Sequence, residues 1–171
     1  MLSGTNIMIV LLGKPIKNWE CIYEDCEASC CRTRREITLL DIKRIVEATG
    51  KQPEDFVSIT TGYIPYTLKR KDGKCVFLTE NYQCVLHDSG AKPILCKMYP
   101  FMLQKILYGD EPIMFISPVQ DCPGYGRGPP FTKETLDEIK RQGKVYLAEL
   151  RRIARYKKRR VRLEEILQKE L

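Results

Sequence analysis

The residues with the clearest capacity for chemistry are eight cysteines in a chain of 171 residues. Four fall within eleven residues in the pattern C-x4-C-x3-C-C, and four are spread over 48 residues near predicted turns and strand ends. Thiolate is a soft ligand that suits zinc and iron–sulfur clusters and matches magnesium or calcium poorly. The candidate metal ligands are Cys21, Cys26, Cys30, Cys31, Cys75, Cys84, Cys96 and Cys122.

Eight thiols are enough for two centres, or for one centre and a redox pair. Four thiolates complete a tetrahedral zinc site, and four also hold a [2Fe–2S] or [4Fe–4S] cluster. In a strand-like segment Cys30 and Cys31 would point to opposite sides and serve different partners. The first cluster lacks the C-x2-C pair of zinc fingers and comes near the C-x4-C-x2-C start of plant-type ferredoxins, with one residue too many.

Disulfides are the alternative, because the number of cysteines is even. The apolar run Ile7–Leu12 near the N-terminus is too short for a signal-peptide core or a membrane span. We therefore expect no membrane segment and a cytoplasmic location, where thiols stay reduced. Clustered cysteines there more often bind metal or do redox chemistry, although a disulfide-stapled structural protein stays a third hypothesis.

The elements that must position the cysteines begin with a strand predicted over residues 2–12. A helix is predicted over Thr38–Gly50, because Thr38 and Asp41 occupy capping-box positions and Gly50 stands where helices end in a left-handed residue. A short helix is predicted to begin at Pro53, since proline suits the first helical turn.

The middle of the chain predicts short antiparallel strands. Asp72-Gly73 and Gly109-Asp110 are hairpin dipeptides, which predict strands within residues 63–78 and 101–117. A helical turn is predicted over residues 92–98, with Pro93 near its start. Residues 118–131 hold four prolines and three glycines and are predicted to form a loop.

From residue 132 onward the sequence predicts a long helix, interrupted over 156–160 and resuming at Leu163. Residues 132–171 contain 13 Lys or Arg and 7 Asp or Glu, a net charge of +6 in a chain of +7. We expect an α+β fold with short antiparallel strands and helices around a cysteine metal site. Residues 1–131 would be the metal-chelating domain and residues 132–171 a basic helical extension.

The basic run at residues 151–162 has two interpretations. It could contact the phosphates of a nucleic acid, or an acidic partner, because a strongly positive tail attracts anions. It could equally be a solvated helix face rich in Lys, Arg and Glu.

Two residues beside the cysteines are predicted to contact a cofactor. Lys97 would stabilise the thiolate of Cys96 or meet an anion, with a solvated lysine as the alternative. Gly124 would let the backbone bend around Cys122 and offer N–H groups to cluster sulfurs. His87 is the only histidine and is interpreted as a loop residue rather than a ligand. Cys–His nucleophilic catalysis would need this histidine within reach of a reactive thiol, and nothing in the spacing supports that.

The order of the cysteine blocks resembles the YkgJ-like CxxCxxCC family of zinc- or iron-chelating domains. After the first cluster, the resemblance rests on KCVFL at 74–78, CVLH at 84–87, KPILCKMYPF at 92–101 and CPGYG at 122–126. It extends from about Trp19 to Gly128 and implies a cysteine metal site.

One branch of that family includes FliB-type flagellin lysine N-methylases, whose cysteine region is linked to an iron–sulfur centre and methyl transfer. This chain departs from the family pattern at Lys92 and Lys97, where arginine is common, and lysine lacks the planar fork of arginine. The leading hypothesis is an iron–sulfur protein acting in electron transfer or supporting radical or methyl-transfer chemistry. The alternative is a zinc-structured binding module with a basic tail. Whether the chain is an enzyme stays open.

Overall fold

A computed structural model describes residues 7–62, 64–159 and 162–171. The architecture is a mixed α+β fold with small sheets and a long C-terminal helix, as the sequence predicts. In chain order the elements are β1 (Met8–Leu11), β2 (Asn18–Trp19), a 3₁₀ helix (Ser29–Arg32), α1 (Leu39–Thr49), α2 (Pro53–Phe56), β3 (Val57–Ile59), β4 (Tyr66–Leu68), β5 (Arg70–Lys71), β6 (Lys74–Cys75), α3 (Ile94–Lys97), β7 (Phe101–Leu107), β8 (Ile113–Pro118), β9 (Tyr125–Pro130), α4 (Lys133–Lys158) and α5 (Leu163–Glu170).

The three-stranded sheet has the order β1-β8-β7. β7 and β8 form the antiparallel hairpin predicted around Gly109-Asp110. β1 lies parallel to β8, with Met8 opposite Ile113, so the expectation of antiparallel strands does not extend to β1. The two strands are far apart in sequence, so no tight turn fixes their relative direction. Of the strand predicted over 2–12, β1 forms residues 8–11, and residues 2–6 lie outside the described ranges.

α1 forms where the sequence predicts it and is closed at both ends. The Thr38 side chain accepts a hydrogen bond from the Asp41 amide at 3.1 Å, and the Asp41 carboxylate accepts from the Thr38 amide at 2.9 Å. Gly50 ends the helix with a φ of +66°, a left-handed conformation that glycine adopts without steric cost. α2 begins at Pro53, also as predicted.

Two short pairs of strands follow the helices. β3 pairs with β4, and β5 pairs with β6 across Asp72-Gly73, which confirms the predicted turn. The strands are shorter than the prediction over 63–78, and Tyr63 lies outside the described residues.

The prediction of a loop over residues 118–131 is wrong for the second half of that segment. Residues 125–130 form β9, which pairs antiparallel with β2. The register shifts between Asn18 and Trp19, and Gly126 and Gly128 have positive φ. The glycines and prolines that suggested a loop therefore belong to a short, bulged edge pair, where both residue types are tolerated.

One hydrophobic cluster joins the helices to the three-stranded sheet. α4 contributes Ile139 and Tyr146, and β8 contributes Met114, all nearly inaccessible to solvent. Gly143 on α4 allows close packing, because a Cβ there would lie 2.9 Å from Ile9 Cδ1. α4 thus shares its core with earlier residues, and the division of the chain at residue 131 stays a prediction.

The C-terminal helix is interrupted as predicted, but the break begins later than residue 156, because residues 156–158 still belong to α4. α4 ends at Lys158 and α5 begins at Leu163, while residues 160–161 lie outside the described ranges. α5 buries Ile166 and Leu167 in the common core. Among the described residues no helix combines the length and apolarity needed to cross a membrane.

Candidate metal centre

The first cysteine cluster lies on a tight turn followed by the 3₁₀ helix. Glu27 and Ala28 both have a φ of +48°, which turns the chain sharply after Cys26. The Cys31 amide then donates to the Ala28 carbonyl at 2.7 Å. On this helix Cys30 and Cys31 line the same cavity. The opposite orientations expected on a strand do not arise, because the segment is helical rather than extended.

Three further cysteines come from separate short elements. Cys75 is the last residue of β6, and Cys96 lies on α3. Cys84 forms an isolated antiparallel bridge with Leu78. None of these elements is long enough to be stable alone, so their relative positions depend on the surrounding core.

Asp41 fixes the position of α3. Its carboxylate is 1% exposed and accepts a hydrogen bond from the Ile94 amide at 2.9 Å, in addition to its capping bonds with Thr38. A buried carboxylate is costly unless its oxygens are hydrogen-bonded. One side chain therefore caps α1 and orients the turn that carries Cys96.

Six cysteines line one cavity of about 220 Å³, which we call the main cavity. Aromatic rings of Trp19, Phe77, Tyr82 and Tyr99 form part of its wall. An aromatic wall limits the access of water to a bound centre. The cysteines of the main cavity are Cys21, Cys30, Cys31, Cys75, Cys84 and Cys96.

A second cavity of about 20 Å³, which we call the small cavity, has four cysteines in its wall. Cys21 and Cys30 line both cavities, whereas Cys26 and Cys122 line the small one only. Together the two cavities account for all eight predicted ligands. They lie in one neighbourhood, although they come from five segments of the chain: the first cluster and the segments of Cys75, Cys84, Cys96 and Cys122.

Cys122 reaches the small cavity because the chain after β2 lies against the residues before β9. The Glu20 amide donates to the Gly124 carbonyl at 3.2 Å, and a Cβ added to Gly124 would clash with the Glu20 carbonyl oxygen. The Tyr125 amide donates to the Cys122 carbonyl at 3.2 Å. Glycine is therefore needed at 124 to hold Cys122 in place. The predicted contact of Gly124 with a cofactor stays a prediction.

Cys30 and Cys31 share a proton. The thiol of Cys31 donates to Cys30, which lowers the pKa of Cys30 to about 6. The same hydrogen bond raises the pKa of Cys31 above its usual range. The pair therefore favours the thiolate form of Cys30, the form that binds metal.

Burial acts in the opposite direction on other thiols. It raises the pKa of Cys96 to about 12, and it is also the main cause of the raised pKa of Cys21, Cys75 and Cys84. Because only thiolate binds metal, loading these cysteines releases protons, and the positive ion then compensates for the buried charge.

Two cations also line the main cavity. Arg35 donates from Nη2 to the Cys30 carbonyl at 3.3 Å. Lys92 Nζ lies 3.4 Å from Nδ1 of His87, and both side chains line the cavity. Positive charge beside buried thiols favours their charged form. His87 is therefore close to the cysteines, although its interpretation as a loop residue is not contradicted.

Lys97, the predicted charged neighbour of Cys96, lies elsewhere. Its Nζ donates to the Gly90 carbonyl at 3.0 Å, and it is not among the described residues that line either cavity. Its contact with a cofactor stays a prediction. Arg35 was not identifiable from the sequence, because no spacing rule marks a single arginine four residues after Cys31.

All eight cysteines are free thiols. Within the described ranges no three Cys, His, Asp or Glu side chains already converge closely enough to hold a metal ion. Binding therefore requires the cysteine side chains to rotate towards a common point. The donor set fits zinc or iron, because both accept four thiolates and neither needs oxygen ligands.

Residues 20–123 match the sequence profile of the family described as "CxxCxxCC: Putative zinc- or iron-chelating domain". The matched span covers more than half of the chain and contains all eight cysteines. The resemblance predicted from the order of the cysteine blocks is thereby confirmed. No curated protein and no solved structure matches the chain.

Proposed function

Because the chain belongs to the CxxCxxCC family of zinc- or iron-chelating domains, we propose that its main cavity binds an iron–sulfur cluster. The protein would act in electron transfer or support radical or methyl-transfer chemistry. The observation that carries the proposal is the set of cysteines around one cavity of about 220 Å³. The cysteines that line this cavity alone are Cys31, Cys75, Cys84 and Cys96.

The size of the main cavity favours a cluster over a single ion. A water molecule occupies about 30 Å³ in the liquid, so a single ion with its thiolates would leave much of this space unfilled. A [2Fe–2S] or [4Fe–4S] cluster contains several atoms and takes four thiolates. Both the number of thiols and the volume therefore agree with a cluster.

The charges of the main cavity support the same proposal. Four thiolates around an iron–sulfur core leave a net negative charge, which is costly to bury without compensation. Arg35 and Lys92 supply two positive charges in the wall. They would lower the free-energy cost of holding the thiolates and would raise the reduction potential.

The chain's own residues would exclude water and set the potential. The bound cluster supplies one-electron redox chemistry. Trp19, Phe77 and Tyr99 would shield it, since solvent exposure is one of the factors that tune a cluster. The proposal requires a compartment in which thiols stay reduced, such as the cytosol.

Metal and sulfide analysis tests the proposal. Protein purified without oxygen should contain acid-labile sulfide with at least an equal amount of iron, show a brown colour, and bleach reversibly with a chemical reductant. Cys84→Ser should lose most of the sulfide and colour. Val85→Ser is the matched control, because Val85 is an exposed neighbour, and it should retain both. A colourless protein with zinc and no sulfide would overturn the proposal.

A second candidate is a zinc-structured module whose basic run contacts nucleic acid or an acidic partner. The observation that favours it is a depression of about 220 Å³ on α4, lined by Arg152, Arg155, Tyr156 and Arg159. Arg152 is already paired with Glu149 and Glu170. Of the run at 151–162, residues 160–161 lie outside the described ranges.

Binding to nucleic acid under varied salt tests this candidate. The double variant Arg155→Glu/Arg159→Glu should weaken binding and make the dependence on salt less steep, since fewer phosphates are neutralised. Lys144→Glu is the control, because Lys144 is exposed on the same helix outside the depression. Binding that ignores salt, or that both variants weaken equally, would reject this candidate.

A further inference from the structure

The small cavity has a complete set of metal ligands of its own. Its four thiols are Cys21, Cys26, Cys30 and Cys122, the number required for a tetrahedral thiolate site. When these four are set aside, the main cavity still keeps four others. Cys21 and Cys30 line both cavities, and assigning these two to the small cavity divides the eight cysteines into two sets of four.

We infer that the small cavity is a second metal centre, in which Cys21, Cys26, Cys30 and Cys122 hold a single zinc or ferrous ion. The inference rests on the proposed function in taking the cysteines as metal ligands. It is independent of whether the main cavity holds a cluster.

The volume of the small cavity selects one ion rather than a cluster. A cavity needs roughly 10–15 Å³ to hold one water-sized sphere, and this cavity measures about 20 Å³. Four thiolates surround zinc at about 2.3 Å in structural sites. The two cavities differ about tenfold in volume and each has at least four thiols in its wall, so they suit centres of different size.

Trp19, which is in the wall of both cavities, carries a buried donor without a partner. Trp19 Nε1 is inaccessible to solvent and has no hydrogen-bond partner among the described residues. Its ring lines both cavities. A metal-bound thiolate is a hydrogen-bond acceptor, and N–H groups near such sulfurs orient and tune the site. Loading of the small cavity would give this donor a partner.

Two adjacent residues would then belong to different centres. Cys30 would bind the single ion and Cys31 the cluster, so one peptide bond would join the two sites. The single ion would hold the turn that carries Cys31. Its role would be to position a ligand of the cluster, without electron transfer of its own.

Native mass spectrometry of the intact chain, with sulfide analysis, tests the division. Anaerobically purified protein should carry one cluster and one additional ion. Cys122→Ser and, independently, Cys26→Ser should each lose the additional ion and retain most of the sulfide and colour. Cys75→Ser is the converse control: it should lose the sulfide and retain the additional ion. Circular dichroism checks that each variant is folded.

The outcomes separate this inference from the proposed function. A wild-type chain with a cluster and no additional ion would overturn the second centre and leave the cluster standing. Two single ions without sulfide would support the second centre and overturn the cluster. Equal loss of both metals in Cys122→Ser and in Cys75→Ser would overturn the division into two sets of four.

Discussion

Two regions of the molecule are held together by different means. The cage region, residues 19–35, 75–99 and 118–130, carries the cysteines on elements of two to six residues and on the turns between them. Its 3₁₀ helix contains no buried residue. The helical region, formed by α1, α4 and α5, buries an apolar stripe on each helix. The first cysteine cluster thus contributes little to the core, although the later part of the cage adds Leu86, Ile94 and Met98 to it.

The ends of the elements show the same difference. α1 begins with a capping box and ends at a left-handed glycine, and α4 begins with Thr132 accepting from the Thr135 amide at 3.3 Å. The cage instead contains Glu27 and Ala28 at positive φ, a conformation unfavourable for residues with a Cβ. The helical region follows local preferences, whereas the cage departs from them.

A bound metal would contribute to stability mainly in the cage region. Apolar burial stabilises the helical region whether or not a metal is bound. In the cage region the thiols have raised or coupled pKa values and the 3₁₀ helix buries no side chain, so bound metal would supply much of the free energy that orders the cysteine-bearing turns.

Metal removal is expected to have the largest effect. A chelator under reducing conditions should increase amide hydrogen exchange across the cage region by at least about a hundredfold, because structural thiolate sites contribute about 10 kcal/mol or more. Exchange in α4 should change little. Equal loss of protection in both regions would show that they fold as one unit and would contradict the proposed difference in their dependence on metal.

Asp41→Ala is expected to have the next largest effect, because Asp41 connects the two regions. The variant leaves the amides of Thr38 and Ile94 without their buried acceptor. We expect a loss of about 3 kcal/mol in the free energy of unfolding, measured with denaturant. Asp41→Asn keeps one acceptor oxygen and should lose less. A loss below about 1 kcal/mol would contradict the connecting role.

Gly124→Ala is expected to act on the cage region. The new Cβ would clash with the Glu20 carbonyl, so the chain before β9 must move and take Cys122 with it. We expect a loss of about 2 kcal/mol in the free energy of unfolding, together with weaker metal retention. Gly109→Ala is the matched control, since Gly109 has open space around it and should be nearly neutral. Equal effects of both variants would contradict the close approach.

Much of the helical region could be predicted from the sequence, because its determinants are local. The capping pair Thr38 and Asp41 and the terminal Gly50 lie within one helix and act through neighbours a few residues away. The apolar spacing from Leu136 onward likewise predicts α4 without knowledge of its partners.

The cage could be predicted only as a list of ligands. Which cysteines share a cavity depends on the pairing of β2 with β9, and the glycines and prolines of β9 predict a loop instead. The orientation of Cys30 and Cys31 depends on two non-glycine residues at positive φ, for which no sequence rule exists. The second role of Asp41, towards Ile94, links positions 53 residues apart and leaves no local pattern.

Tyr66→Phe is expected to have the smallest effect and to be confined to the helical region. The Tyr66 hydroxyl donates to the Leu163 carbonyl at 2.9 Å, which attaches β4 to the first residue of α5. Loss of this bond should cost about 1 kcal/mol. Amide exchange should rise in α5, while metal content and the spectrum of the cage stay unchanged.

The pH dependence of this variant sharpens the same prediction. Burial raises the pKa of Tyr66 above its usual value, with a further contribution from the charge of Glu164. A raised pKa in the folded state means that the stabilisation is complete below the unfolded value near ~10 and is lost as the pH rises above it. As the pH rises above this value, the free energy of unfolding, measured with denaturant, should therefore fall more steeply in the wild type than in Tyr66→Phe. If the unfolding free energies of the two proteins fell in parallel with pH, the ionisation of Tyr66 would not be linked to the attachment of α5.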